Sequence, residues 1–70
     1  MMNKKDSIIL KNNGFKQVKR NFYVLDIYGL EVKKDSYGFY YVRDTRNNIV
    51  NEANNIFDVM DIVEKVKERW

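Results

Sequence analysis

The sequence predicts an α+β fold: a short N-terminal helix, an antiparallel three- to four-stranded meander, and a C-terminal amphipathic helix packed on one sheet face. Three observations carry this expectation. The segment from Asn55 to Trp70 spaces its apolar side chains at a helical period. The middle of the chain alternates at a period of two between turn-forming residues. Finally, 70 residues with 44% apolar and 33% charged side chains suit one folded domain over residues 1–70 rather than a disordered tail.

Asp6 or Ser7 is the expected N-cap of a short helix through Ile8, Ile9, Leu10 and Lys11. Gly14 should end it in a left-handed C′ position, placing Phe15 at C″ where it packs back on Leu10. So short a helix does not persist alone and has to dock on something. Phe15 to Lys19 reads as a first strand or the lead-in to one, and Asn21 to Ile27 has the aromatic and branched content of a strand. Gly29 allows a tight turn, after which Leu30, Glu31, Val32 and Lys33 alternate apolar with charged. Asp35-Ser36-Tyr37-Gly38 is a second turn, and Phe39 to Arg43 is the most strand-like run. Asp44 to Asn48 reads as a hairpin loop before a short final strand, Ile49 to Glu52.

The C-terminal segment is the clearest. Asn55 with Asp58 three residues on makes a capping-box-like start. Ile56, Val59, Val63, Val66 and Trp70 then form one apolar stripe, with Met60 beside it. Acids near its start and Lys65, Lys67 and Arg69 near its end complement the helix dipole, and Asp61 to Lys65 is a favourable i,i+4 pair.

The composition also excludes. Without cysteine or histidine, neither a disulfide nor a zinc site can staple the fold. The loop Asp44-Thr45-Arg46-Asn47-Asn48 puts a cation where a calcium loop needs its second oxygen ligand, so no cofactor or metal is expected. The hydroxyls Ser7, Ser36 and Thr45 have no histidine to activate them, and Gly14, Gly29 and Gly38 are isolated rather than part of a phosphate loop. Asp58, Asp61 and Glu64 suit helix surface charge, and no enzyme is expected. No apolar run matches a bilayer and Ile8-Ile9-Leu10 is too short for a secretion signal, so the expected location is the cytoplasm, without a membrane partner. Abundant Asn, Lys, Ile and Tyr point to a low-GC bacterial or phage gene.

The net charge of +3 is unevenly placed, +5 over residues 1–34 and −2 over residues 35–70. Such asymmetry suits a nucleic-acid or acidic-protein surface as well as an ordinary solvated one. Asn21 to Leu25 and Phe39 to Val42 are apolar on both faces: Phe22 and Val24 oppose Tyr23 and Leu25, and Phe39 and Tyr41 oppose Tyr40 and Val42. If both helices share one face, the other presents an aromatic patch to a partner; if they take opposite faces, the patch is core. The pattern leaves both arrangements open.

The first functional expectation is a non-catalytic protein-binding module, a small phage or mobile-element inhibitor or regulator of a larger host protein. Its candidate contacts are Phe22, Tyr37, Phe39, Tyr41 and Arg43, together with Phe57, which falls off the apolar stripe among Asp61, Glu64 and Glu68. The ordinary role of Phe57 is a local contact with the loop before the helix. The alternative is an RNA- or DNA-binding domain using the same aromatics with Lys19, Arg20, Lys33, Lys34 and Arg43. The expected oligomeric state is a monomer or weak homodimer, and a self-associating structural protein is a third option.

One local resemblance exists. Ile9-Leu10-Lys11-Asn12-Asn13-Gly14-Phe15-Lys16-Gln17-Val18-Lys19-Arg20, about a sixth of the chain, resembles the opening of HicA-type toxins, small RNA-cleaving proteins with a helix, three strands and a helix. That family next carries a Gly-Ser-His motif with its catalytic histidine, where this chain reads Asn21-Phe22-Tyr23. The resemblance therefore implies the order of elements and not ribonuclease activity.

Overall fold

The computed structural model describes residues 3 to 69. Its elements run α1 (Lys4–Asn12), β1 (Lys16–Lys19), β2 (Phe22–Leu25), a single 3-10 turn (Asp26–Tyr28), β3 (Leu30–Lys34), β4 (Tyr40–Asp44), β5 (Ile49–Ala53) and α2 (Ile56–Glu68). The sheet is antiparallel throughout with spatial order β1-β2-β3-β4-β5, a pure meander. It has five strands, more than the three or four expected, because the polar segment Lys16–Lys19 pairs with β2 although all of its side chains are exposed.

The start of α1 differs from expectation. Asn3 is its N-cap, with the side chain accepting the Asp6 N–H at 2.8 Å. Asp6 and Ser7 lie inside the helix, where they meet the hydroxyls of Tyr40 and Tyr23. The other end is as anticipated. Gly14 sits at φ +90°, its N–H reaching the Lys11 carbonyl while the Phe15 N–H reaches that of Leu10, which is the Schellman pattern. Leu10 and Phe15 are both buried in the core.

Two turns shorten the expected second strand. Asn21, at φ +60°, belongs to the tight β1–β2 connection, and the chain leaves β2 after Leu25 through the 3-10 turn into Gly29. Asparagine and glycine supply the left-handed conformations that these sharp reversals need. Gly29, at φ +65°, also has no room for a side chain, since a Cβ there would lie 2.9 Å from Thr45 Oγ1. Its carbonyl accepts both the Thr45 N–H, at 2.9 Å, and the Thr45 hydroxyl, at 2.7 Å, tying the β2–β3 connection to the β4–β5 hairpin.

That hairpin is organised by Asp44, buried at the end of β4. Its carboxylate accepts from the Arg46 and Asn47 N–H groups and from Asn47 Nδ2 at 2.8 Å. The Asn47 side chain holds the carboxyl below its ordinary value; burial opposes this, but the two backbone donors and the Arg46 charge add to the lowering.

Both helices pack on the same sheet face. That face contributes Tyr23, Leu25, Leu30, Val32, Tyr40, Val42 and Ala53 to a single core with Leu10, Phe15 and the α2 stripe Ile56, Val59, Val63 and Val66. Trp70, the last expected member of that stripe, lies outside the described residues. α2 lies chiefly over β4 and less over β5, while α1 lies by β1. Asn55 caps α2 as expected, accepting the Asp58 N–H at 2.9 Å. Among the described residues the ion pair along this helix joins Glu64 and Lys67, at 3.8 Å, instead of the expected Asp61 and Lys65. Among the described residues no helix is long and apolar enough to cross a membrane.

Candidate binding surface

With α1 and α2 on one side, the other side of the sheet is left without a covering element. Its composition follows from strand alternation. Registers Lys16↔Val24, Val24↔Glu31, Glu31↔Arg43 and Arg43↔Val50 define one transverse row of side chains on this face. Registers Lys19↔Phe22, Phe22↔Lys33, Lys33↔Tyr41 and Tyr41↔Glu52 define a second. The second row thus reads cation, aromatic, cation, aromatic, acid across five strands. Its two rings, two strands apart, are separated by about 10 Å at the usual strand spacing.

The side chains in these rows interact with one another. The Lys33 and Lys19 ammonium groups lie 4.9 and 5.6 Å from the centroid of the Phe22 ring, covering it while remaining in water. Arg43 pairs with Glu31 at 3.6 Å, a partly exposed contact of the kind worth little in stability. Phe22, Val24 and Tyr41 are half-buried, whereas Val50 is 58% exposed. Four cations, Lys16, Lys19, Lys33 and Arg43, face two acids, Glu31 and Glu52, so the surface is positive.

The β3–β4 turn extends this surface. Asp35 accepts the N–H groups of Tyr37 and Phe39 on one carboxylate oxygen, at 2.9 and 3.0 Å, and the Tyr41 hydroxyl on the other, at 2.9 Å. Burial alone would push the Asp35 carboxyl up, but these donors outweigh it and hold it below its ordinary value. The hydrogen bond to Asp35 in turn raises the Tyr41 phenol. The constrained turn carries Tyr37 at its tip, 85% exposed, and Phe39 one step before β4, in phase with Tyr41 and 40% exposed.

Phe22, Tyr37, Phe39, Tyr41 and Arg43 are thus gathered on or beside one surface. Phe57 is not; it stands on α2, on the opposite layer of the molecule, and its 68% exposure leaves little of it against the preceding loop. Among the basic candidates Lys19, Lys33 and Arg43 lie on the open face and Arg20 lies in the turn at its margin. Lys34 does not join them. It is in phase with Leu30 and Val32, and its ammonium lies 5.0 Å from the ring of Tyr40, on the helix side. Sequence reasoning placed Val24 beside Phe22 without naming it a contact, and it missed Lys16 and Val50, which alternation would have placed there once the layer order was known. No family model, curated protein or solved structure matches this chain.

Proposed function

We propose that this protein is a non-catalytic protein-binding module whose interface is the open sheet face with the Tyr37–Phe39 turn. The observation that carries the reading is the one-sided placement of the helices. It leaves Phe22, Val24 and Tyr41 half-buried and Val50 exposed on a sheet face that neither helix covers. Tyrosine and arginine, both present there, are the residues that dominate interface energetics. The non-catalytic part rests on a sequence without histidine or cysteine and on two of its hydroxyls being held in structural contacts: Ser7 bonds Tyr23 and Thr45 bonds the Gly29 carbonyl. A regulator or inhibitor encoded by a phage or mobile element is the finer form of this reading, motivated by size and composition alone.

The test is photo-crosslinking in lysate of the organism that carries the gene, with a benzophenone amino acid at position 37 or 39 and a control at 57. A single stoichiometric protein adduct from 37 and 39, absent when Tyr41 is alanine, is expected. Adducts to nucleic acid alone would overturn the proposal.

A second reading has its own observation. The row Lys19, Phe22, Lys33, Tyr41 alternates charge with ring as a single-stranded nucleic acid alternates phosphate with base. Fluorescence anisotropy of labelled oligonucleotides at two salt concentrations tests it, because counterion release demands that binding weaken steeply with salt. No binding at low salt ends it.

A further inference from the structure

The two edges of the sheet are built differently. β1 is guarded: its register shifts between Gln17 and Lys19, a bulge around Val18, and Lys16 and Lys19 flank that bulge. β5 is not. Its five residues Ile49, Val50, Asn51, Glu52 and Ala53 pair with β4 in unbroken register, without proline, lysine or bulge. An edge of this kind presents a ready row of backbone donors and acceptors.

Beside this edge α2 stops short of full cover. Ile49 and Asn51 are in phase with buried Ala53 and so turned to the helix side, yet Ile49 is 44% exposed and Asn51 is exposed as well. The gap is a cleft between α2 and the outer end of the sheet. One part, of about 470 Å³, is lined by Arg46, Asn47, Val66 and Arg69. Its continuation, of about 260 Å³, is lined by Asn51, Ile62, Lys65, Val66 and Arg69. The cleft has an apolar floor in Ile62 and Val66 and a cationic rim in Lys65, Arg69 and Arg46, and among the described residues no carboxylate lines it. Arg46 is shared, since its charge also acts on buried Asp44, so Lys65 and Arg69, which form no ion pair among the described residues, are the cations that face an incoming acid.

We propose that β5 and this cleft together accept an extended acidic segment of another protein, added as a sixth strand. Its backbone completes the edge ladder. On its helix-side positions, which recur every second residue, an apolar side chain meets Ile62 and Val66, and Glu or Asp meets Lys65 and Arg69. The cationic rim, with no carboxylate among the described residues that line it, selects an acidic occupant.

The proposal is independent of the open face and can be tested apart from it. The probe is a synthetic peptide of about ten residues repeating Val-Thr-Glu-Thr, which puts Val and Glu on one face of a strand. Titrated into the full chain at low salt and followed by amide NMR, it should bind at about 10 to 100 μM, shifting Val50 to Glu52 and Ile62 to Arg69. The exposed double substitution Lys65→Glu with Arg69→Glu should weaken it by about tenfold or more, as should N-methylation of the peptide's ladder amides. Tyr37→Ala should leave it unchanged, which separates failure here from failure of the open-face interface. No binding at about 1 mM, equal binding of the Lys-for-Glu peptide, or shifts confined to the open face would overturn the proposal. So would a dimer through β5 seen by sedimentation.

Discussion

The docking of α1 can be measured through one hydrogen bond. Tyr40 is 2% exposed and its ring belongs to the core, but its hydroxyl reaches out of the sheet to donate to the Asp6 carboxylate on α1. Tyr40→Phe keeps the ring packing and removes the donor. A hydrogen bond to a charged acceptor contributes about 1.5–3 kcal/mol, and because Asp6 is half-buried it regains water once its partner is gone, so the loss should fall at about 1–2 kcal/mol. Asp6→Ala should cost about as much for a different reason, leaving a buried phenol without its acceptor. The double variant should then cost much less than both together, with a coupling of about 1 kcal/mol, as neighbouring groups in one interaction show. Urea unfolding followed by far-UV circular dichroism gives each stability. For a domain of this size the thermal midpoint of Tyr40→Phe should drop on the order of 5–10 °C. If that variant stays within about 0.3 kcal/mol of the parent, or if the two substitutions simply add, the hydroxyl does not hold the helix.

Other perturbations probe different layers. Val63→Ala empties a fully buried position at the middle of the α2 stripe and should cost about 1–3 kcal/mol in a denaturant melt. Gly29→Ala should destabilise by more than Gly38→Ala: both residues have positive φ, but a Cβ at 29 meets Thr45 Oγ1 at 2.9 Å and a Cβ at 38 meets nothing. Equal losses would remove the steric explanation. On the acid side, Asp35 and Asp44 titrate below the ordinary 3.8 when folded, so the native state binds fewer protons there than the unfolded chain. Their contribution, complete above about pH 4, should fade as pH falls through the depressed values. On the alkaline side burial, followed by the bond to Asp6, holds the Tyr40 phenol well above 10.0, and Tyr41 is raised too. The native state then keeps protons that the unfolded chain gives up, so stability should decline as pH climbs past about 10.

Much of the fold is legible in the residues. The α2 stripe, its Asn55 cap and the Gly14–Phe15 termination of α1 each depend on side chains a few positions apart, and local rules read them directly. Asp6 and Ser7 mislead for the same reason. Capping chemistry makes them look like a helix start, while their actual partners are tyrosines at positions 40 and 23, which no local window contains. β1 is faint because an edge strand with every side chain in water carries no apolar alternation. The layer order, the point on which the candidate surface depends, is left open by the sequence pattern as a whole, with one sign of it in β3. This is the central strand, and its alternation of Leu30 and Val32 with Glu31 and Lys33 declares that one side of the sheet centre is wet. The double-sided apolar runs of β2 and β4 obscure that signal, since cationic stems on the open face shield the outward ring of Phe22. The β5 cleft is not legible at all, because it exists only where α2 ends its cover.

The meander also orders events in time. Every strand finds its mate across a short loop, so the sheet assembles by closures that lose little chain entropy, and local pairing of this kind makes for rapid folding. Helix α1 stands apart, since the acceptor it offers to Tyr40 is separated from it by 34 residues and is of no use until β4 is in place. The N-terminal helix is therefore expected to dock late and to open early. In native-state hydrogen exchange its amides should open through a partial excursion while β3 and β4 stay protected to the limit of global unfolding.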